Sequence, residues 1–374
     1  MTELPVLSVV VPSHNSTGTL RNALAAIRDS DLGSDQYELI VVDDASSDAS
    51  ATVAARYADK VVRLTGCRAG PAYSRNRGVE LARGEIVAFV NPDARVARGT
   101  LGAMLLFLAE HDNVDAVSAI RGDTPASTNF VSQYWNLLVH FGERRYCGDS
   151  ADLASGCCAV RRLAFTGVGM FDEWQFPVGN LEGVELAQRL QTSDREVFAN
   201  SSIQVVSLAK WTVGSMCREI WNRGRMLARS LGYERTRRAV PSEVVFTLSR
   251  AMPSAFAVVS IVALSGSFRP ATSLVSKLTL AVFGVLVVNF PVYEFYRQRR
   301  GFLFALSALP LHILAQAVSA CALCTGWLLR STIGDRTPDA ATQAWAEIGL
   351  ESWPPVPKRR VVDGPQRLPT SRLD

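Results

Sequence analysis

The sequence predicts an α/β fold, a mostly parallel, Rossmann-like sheet followed by apolar helices. Three observations carry this. Short apolar runs alternate with stretches of helical length through the first half of the chain, as strands joined by right-handed helical crossovers do. Several of those runs end in polar residues that would gather at one rim of a parallel sheet. The apolar excess, within a hydrophobic content of 48% over 374 residues, is concentrated after residue 250.

Leu7 to Val11 reads as a buried strand broken at Pro12, followed by a Ser13-His14-Asn15 loop. A helix is expected from about Thr17 to Arg28, with Leu20, Leu24 and Ile27 on one face. Tyr37 to Val42 is a second buried strand, ended by Asp43 and Asp44, and Ser46 or Ser47 is expected to cap the helix after it. Lys60 to Leu64 is a third strand. Gly70 and Pro71 open the next helix, with proline at its favoured first position, and that helix carries Arg75 and Arg77. The run Ile86 to Val90 stops at Asn91-Pro92-Asp93; proline does not continue a central strand, so Asp93 is left at the strand's carboxyl end. A helix from about Thr100 to Glu110 and a strand at Val114 to Ile120 follow, and residues 121 to 150 give little signal. Ala151 to Arg161 reads as a strand, then a short helix and an FDE phrase. Val184, Leu186, Ala187 and Leu190 share one helical face, which places Glu182 just before or in the first turn of that helix.

From Trp211 to Arg238 the chain is Arg-rich and interleaved with Trp221, Met226, Leu227 and Tyr233, the pattern of an interfacial helix on acidic lipid; a solvated basic face is the alternative. Apolar segments follow at residues 251–268, 278–296 and 302–329. A span needs about 20 apolar residues. The third meets that, while Pro253, Asn289, Pro291 and Glu294 interrupt the first two, and buried core helices are the alternative. With three crossings, Arg297, Arg299 and Arg300 fall on the cytoplasmic side. The start, MTELPVLSVVV, has no basic leader. The expected organisation is a cytosolic α/β domain over 1–210, an interfacial helix over 211–240, a membrane domain over 241–330 and a disordered tail over 331–374. That describes a multi-pass protein of the cytoplasmic (inner) membrane.

A formal charge of +4 is too mild to argue for nucleic acid. Seven cysteines without regular spacing make no disulfide framework, and Cys321-x-x-Cys324 lies in an apolar helix, where packing is expected. None of the four histidines stands with cysteines or acids at metal spacing, so no zinc site is expected.

Three loops should converge where open parallel sheets bind ligands: Pro12 to Asn15, Asp43 with Asp44, and Asn91 to Asp93. A buried carboxylate in the second loop would accept the ring N–H of a pyrimidine base, a bond worth about 1.5–3 kcal/mol. His14 would stack on the base, Arg75 would neutralise a diphosphate, and Asp93 would hold a divalent metal acting as Lewis acid. The alternatives are an Asx-type turn at Asn91 to Asp93, a cap or turn at Asp44, and an exposed helix position at Arg75.

The segments VVVPSHN, VVDDASSD, GPAYSRNRG, ARGEIVAFVNPD, the FDE phrase and EGVELAQRL, in that order over about residues 5 to 210, resemble the family 2 glycosyltransferases of the GT-A fold. The resemblance implies inverting transfer of a sugar from a UDP-, dTDP- or GDP-linked donor to a lipid-linked or glycan acceptor of the cell envelope. By similarity Pro12, His14, Asn15, Asp43, Asp44, Arg75, Asn91, Asp93 and Gly156 would hold the nucleotide sugar, with Mg2+ or Mn2+ on Asp93. The NPD form of the usual D-x-D is most similar to rhamnosyltransferase-type members. The family's base is an Asp in a Glu-Asp pair; here the pair is Glu182-Gly183, so Glu182 is the nearest carboxylate left. Its alternative is a helix-start residue favoured by the dipole. Asn91 replaces the first acid of the D-x-D, and Ser207 stands where some members place a metal-binding histidine. A second reading follows from those departures: a catalytically degenerate GT-A module that senses nucleotide sugar or scaffolds a partner at the membrane.

Overall fold

A computed structural model describes residues 4–66, 68–145, 147–148, 153, 156–173, 181–230, 283–284, 286–333 and 358–363. The chain divides into two compact units, one of Met1–Gly122, Cys147–Ala209 and Arg336–Asp374, the other of Asp123–Tyr146 and Lys210–Asp335.

The first unit is built on a sheet of β1 (Leu7–Ser13), β2 (Tyr37–Asp44), β3 (Lys60–Thr65), β4 (Ile86–Val90), β5 (Ala94–Val96), β6 (Val114–Arg121), β7 (Cys157–Arg161), β8 (Glu196–Ser207) and β9 (Lys358–Asp363), in the order β5-β8-β6-β7-β4-β1-β2-β3-β9. The expected parallel sheet accounts for β4-β1-β2-β3 and for β6 beside β8. Elsewhere the sheet is mixed: β7 runs antiparallel between β4 and β6, β5 pairs antiparallel with β8, and β9 with β3. The last of these corrects the disordered tail over Lys358–Asp363; the rest of 334–374 lies outside the described residues.

Strand alternation sends successive side chains to opposite faces. Val9, Val11, Leu39 and Val41 pack with Leu20, Leu24 and Ile27 of α1 (Thr17–Arg28), Val53 of α2 (Ser50–Ala54) and Leu101 and Met104 of α4 (Thr100–Glu110). Val10, Ile40, Val42 and Phe89 pack with Ala72, Tyr73 and Val79 of α3 (Pro71–Val79), Phe165 of α6 (Arg162–Gly167) and Leu186 and Leu190 of α7 (Glu182–Thr192).

Strand β1 does not break at Pro12. Its ladder with β4 ends at Val10↔Phe89, so Pro12 lies beyond that neighbour while its register with Val42 of β2 continues to Ser13↔Asp43. The helix after β2 starts later than expected. Neither Ser46 nor Ser47 caps it; Asp48 Oδ1 accepts the Ser50 N–H at 3.0 Å. The Ala151–Arg161 strand is β7, beginning at Cys157, with most of 149–155 outside the described residues.

Glu38, 3% exposed, ties the amino-terminal halves of these strands together. Its Oε1 accepts the Ser8 hydroxyl at 2.8 Å and the Arg83 N–H at 2.7 Å, and its Oε2 accepts Lys60 Nζ at 3.2 Å. Burial alone would raise the Glu38 carboxyl, but the Arg83 amide, the Ser8 hydroxyl and the Lys60 ammonium outweigh it and hold the group below the usual carboxylate range. A depressed folded-state pKa contributes stability that is complete above the unfolded value and lost as pH falls through the folded one. Glu38→Gln is therefore expected to cost about 1.5–3 kcal/mol at neutral pH. Its gap from the parent should shrink as denaturant unfolding is repeated at progressively more acidic pH.

The second unit packs α5 (Phe130–Arg145), α8 (Val213–Ser230), α9 (Phe290–Arg300) and α10 (Phe302–Ile333) around Tyr134, Leu137, Met216, Ile220, Val292, Tyr296, Ala308 and Ala315. Helix α5 falls in the stretch of weakest sequence signal, and 123–146, expected within the 1–210 domain, groups with this unit. The expected interfacial helix is α8, but Met216, Ile220 and Leu227 of its apolar side are buried inside the unit rather than left for lipid. Small residues bring α8 and α10 close, since a Cβ on Gly326 would lie 2.6 Å from the Arg225 carbonyl and one on Gly224 2.9 Å from Ala322.

Residues 251–268 lie outside the described residues, and the expected 278–296 segment is interrupted at Asn289, where α9 begins. Among the described residues one helix, Phe302–Thr332, is long and apolar enough to cross a membrane. One side of it carries paired polar groups: the buried His312 has Nδ1 3.1 Å from the Tyr134 hydroxyl, and the partly buried Gln316 donates to Asn289 Oδ1 at 3.0 Å. Cys321 and Cys324 are free and exposed on this helix rather than packed.

Candidate functional site

The loops after β1 and β2 are fastened to each other. Asn15 takes a left-handed φ of 47°, which asparagine tolerates better than most residues. From there its Oδ1 accepts the Ser47 N–H at 2.9 Å, and its own N–H donates to Ser46 Oγ at 3.0 Å. His14 Nδ1 is 2.6 Å from the Asp44 carbonyl, which only accepts, so that nitrogen carries the proton. Asp48 adds a tie from its other oxygen, accepting the Thr17 N–H at 3.1 Å at the start of α1.

Asp43 and Asp44, both expected at the nucleotide-sugar site, point to opposite faces, as neighbours in a strand must. Both oxygens of Asp44 accept backbone N–H groups at 2.8 Å, from Ala69 and Gly70 at the entry to α3. Burial pushes the Asp44 carboxyl up from its ordinary value despite those donors and the charges of Arg68 and His14. Its visible task is to hold the approach to α3, where Gly70 takes φ 97°. Asp43 is different. Its Oδ1 is buried without a hydrogen-bond partner among the described residues, and so is Oγ of Ser13, its register neighbour on β1. The unmet polar atoms at this rim therefore belong to Asp43 and Ser13, and Ser13 was not among the expected site residues. Pro12 is buried within β1 and its ring brings no polar group to the rim.

Three other expected residues do meet. The Arg75 guanidinium donates to Glu182 Oε1 at 2.5 Å and to Asn91 Oδ1 at 2.9 Å, joining α3, the first residue of α7 and the end of β4. The side chains of Arg75 and Glu182 are 12% and 4% exposed. Arg75 also lies over the Phe171 ring, 5.4 Å from its centroid. Phe171 packs with Phe89 and Phe165 and is bracketed by Asn76, whose amide donates to its carbonyl at 2.9 Å and accepts its N–H at 3.1 Å. Glu173 of the same FDE phrase accepts from Asn76 at 2.8 Å and Arg77 at 2.9 Å. That phrase is a clamp on α3, and its role in supporting Arg75 was not visible in the sequence. Gly156, at φ 88°, accepts the Asn91 N–H at 2.8 Å, and a Cβ there would lie 3.7 Å from the Asn91 amide nitrogen.

Asp93 turns away from β4 with its carbonyl accepting the Leu208 N–H at 2.7 Å. Its carboxylate has no hydrogen bond or ion pair among the described residues. No three His, Cys, Asp or Glu side chains among those residues cluster as a protein-built metal cage would need. One unpaired carboxylate nevertheless suits Mg2+ or Mn2+, which bind through one or two carboxylates when phosphates and water supply the other oxygens. The donor set fits a cation that arrives with a diphosphate.

Residues 8–167 match the model of Glycosyl transferase family 2. The chain carries a family 2 glycosyltransferase domain. The match covers β1 through α6 and stops before Glu182, so the residues it spans are those of the β1, β2 and β4 rim together with Arg75. Among curated relatives, the poly(ribitol-phosphate) beta-N-acetylglucosaminyltransferase TarS of Staphylococcus aureus is 32% identical over 119 residues, 31% of this chain and 21% of that protein. The minor teichoic acid biosynthesis protein GgaB of Bacillus subtilis is 32% identical over 117 residues, 30% of this chain and 13% of that protein. The chain thus matches about a fifth or less of these relatives' lengths. Among solved structures, the mannosyltransferase PcManGT from Pyrobaculum calidifontis, in complex with GDP-Man and Mn2+, aligns with a TM-score of 0.59 at 20% identity over 86% of this chain and 88% of its own. The family 2 domain has the GT-A fold of such enzymes.

Proposed function

We propose that this chain transfers a glycosyl group from a nucleoside-diphosphate sugar to a hydroxyl of a lipid-linked or glycan acceptor, with inversion at the anomeric carbon. The observation that supports this most is the Glu182–Arg75–Asn91 chain, which ends two residues before Asp93 and its unpaired carboxylate. Arg75 is the cation placed to neutralise a diphosphate, and before donor arrives it is held by Glu182. An entering diphosphate competes for the guanidinium, which binds phosphate in the same forked geometry as carboxylate. Glu182, released from that pair, takes the proton of the acceptor hydroxyl as its oxygen bonds to the anomeric carbon and the bond to the diphosphate oxygen breaks. The unmet Asp43 Oδ1 and Ser13 Oγ mark where a nucleotide's donors would be accepted. A divalent cation held by Asp93 would stabilise the leaving diphosphate as Lewis acid. Helix α10 attaches the chain to the cytoplasmic membrane with the family 2 domain in the cytosol.

The test is a screen of UDP-, dTDP- and GDP-sugars by thermal shift, with and without manganese, followed by nucleoside diphosphate release. One donor class should raise the unfolding temperature by mass action, and release should rise when acceptor is added. No shift with any donor would overturn the reading. A shift without acceptor-stimulated release would instead identify a nucleotide-sugar-binding module, the reading suggested by Gly183 and Asn91.

A further inference from the structure

An open cavity of about 590 Å³ lies within the second unit, lined by Phe141, Arg144 and Arg145 of α5 and Phe295, Gln298 and Arg299 of α9. Both sets are spaced i, i+3, i+4, so each helix presents one face of its last turns to the same space. Two guanidinium groups there are uncommitted. Arg144 and Arg145 are exposed and have no ion pair or hydrogen bond among the described residues. Basic residues at a helix's end often complement its dipole, yet neither binds the closing carbonyls of α5. Two acids of this unit are engaged by other groups. Asp123 accepts from Arg299 at 2.9 Å, and Glu294 is held by Arg297 and Gln298 at 2.6 Å and 2.8 Å. The apolar side is aromatic: Phe141 and Phe295 meet with centroids 5.2 Å apart, and Arg299 lies 5.5 Å over Phe295.

Two arginines side by side match the oxygens of a phosphate, and the two rings suit the carbon chain such a phosphate is attached to. Chain position says which kind of phosphate. Arg299 is followed by Arg300 and Gly301, and then by α10, the one described helix long enough to cross a membrane. That helix starts with Phe302 and Leu303 exposed at 66% and 77%. Where α10 enters a bilayer from that end, the cavity stands at the level of lipid headgroups.

We propose that this cavity binds the phosphate of an anionic amphiphilic lipid through Arg144 and Arg145, with Phe141 and Phe295 against the first carbons of its chain. The proposal rests on the membrane reading of α10. Binding is measured without any sugar donor, so its failure and that of the transfer reaction are read separately. The probes are a single-chain alkyl phosphate, the corresponding alcohol and inorganic phosphate, titrated into the full chain in non-ionic detergent.

The alkyl phosphate should bind and the alcohol should not. Arg144→Gln with Arg145→Gln should weaken the alkyl phosphate about tenfold or more, while the charge-matched Arg21→Gln with Arg98→Gln should leave it unchanged. Arg144→Lys with Arg145→Lys, which keeps the charge and the fold but loses the fork, should fall between. Equal binding by parent and the Gln variant, or by the alkyl phosphate and its alcohol, overturns the proposal. So does inorganic phosphate binding as tightly as the amphiphile, which would mark a site for soluble phosphate.

Discussion

Arg75→Met is expected to abolish glycosyl transfer and to destabilise the first unit by about 3–5 kcal/mol, the cost of removing one member of a buried ion pair. The carboxylate that loses the guanidinium is Glu182, whose side chain is 4% exposed. The two effects separate in a double variant. Arg75→Met with Glu182→Gln removes both charges, so denaturant midpoints should return most of the way to the parent while transfer stays lost. Glu182→Gln alone should retain donor binding by thermal shift and lose about 10²–10⁴-fold in turnover, the usual contribution of a positioned base. Transfer at the parent rate in either single variant would rule out the competition between diphosphate and carboxylate.

Asp93→Asn is expected to do the opposite with respect to stability. With no hydrogen bond or ion pair to its carboxylate among the described residues, the fold should be unaffected. Turnover should fall about 10²–10³-fold, as when one preorganised electrostatic group at a reacting centre is removed. The metal role has its own readout: the thermal shift produced by donor should depend on manganese in the parent and not in Asp93→Asn. An unchanged manganese dependence would place the cation elsewhere.

What could be read in advance divides along a physical line. Strands β1, β2, β3, β4 and β6 announce themselves as apolar runs, whereas the three-residue β5 is too short to do so, and α1, α3 and α4 begin within a residue of where periodicity and Pro71 place them. Antiparallel β7 could not be told from a parallel strand, because its run is apolar on both faces whichever way it points. Helix α5 was hidden because Ser132, Asn136 and His140 are buried with its apolar residues, which blurs the stripe that periodicity detects. At the site, Arg75, Asn91 and Glu182 were recognisable as residue types, but their meeting spans 107 positions and no local pattern encodes it. The same limit explains the two aspartates. Strand alternation implied that Asp43 and Asp44 would diverge, and only the fold shows that backbone amides are waiting for Asp44 while Oδ1 of Asp43 meets no donor among the described residues.

The chain passes between the two units at 122/123, 146/147, 209/210 and 335/336, not once. Trimming the protein to its first 210 residues, the obvious route to a water-soluble fragment, would leave α5 attached without α8, α9 and α10. Tyr134 and Leu137, both 0% exposed in the intact chain, would then face solvent. Such a fragment would carry an adhesive helix in the middle of its sequence. Preparations for assay or crystallisation are better made from the undivided polypeptide.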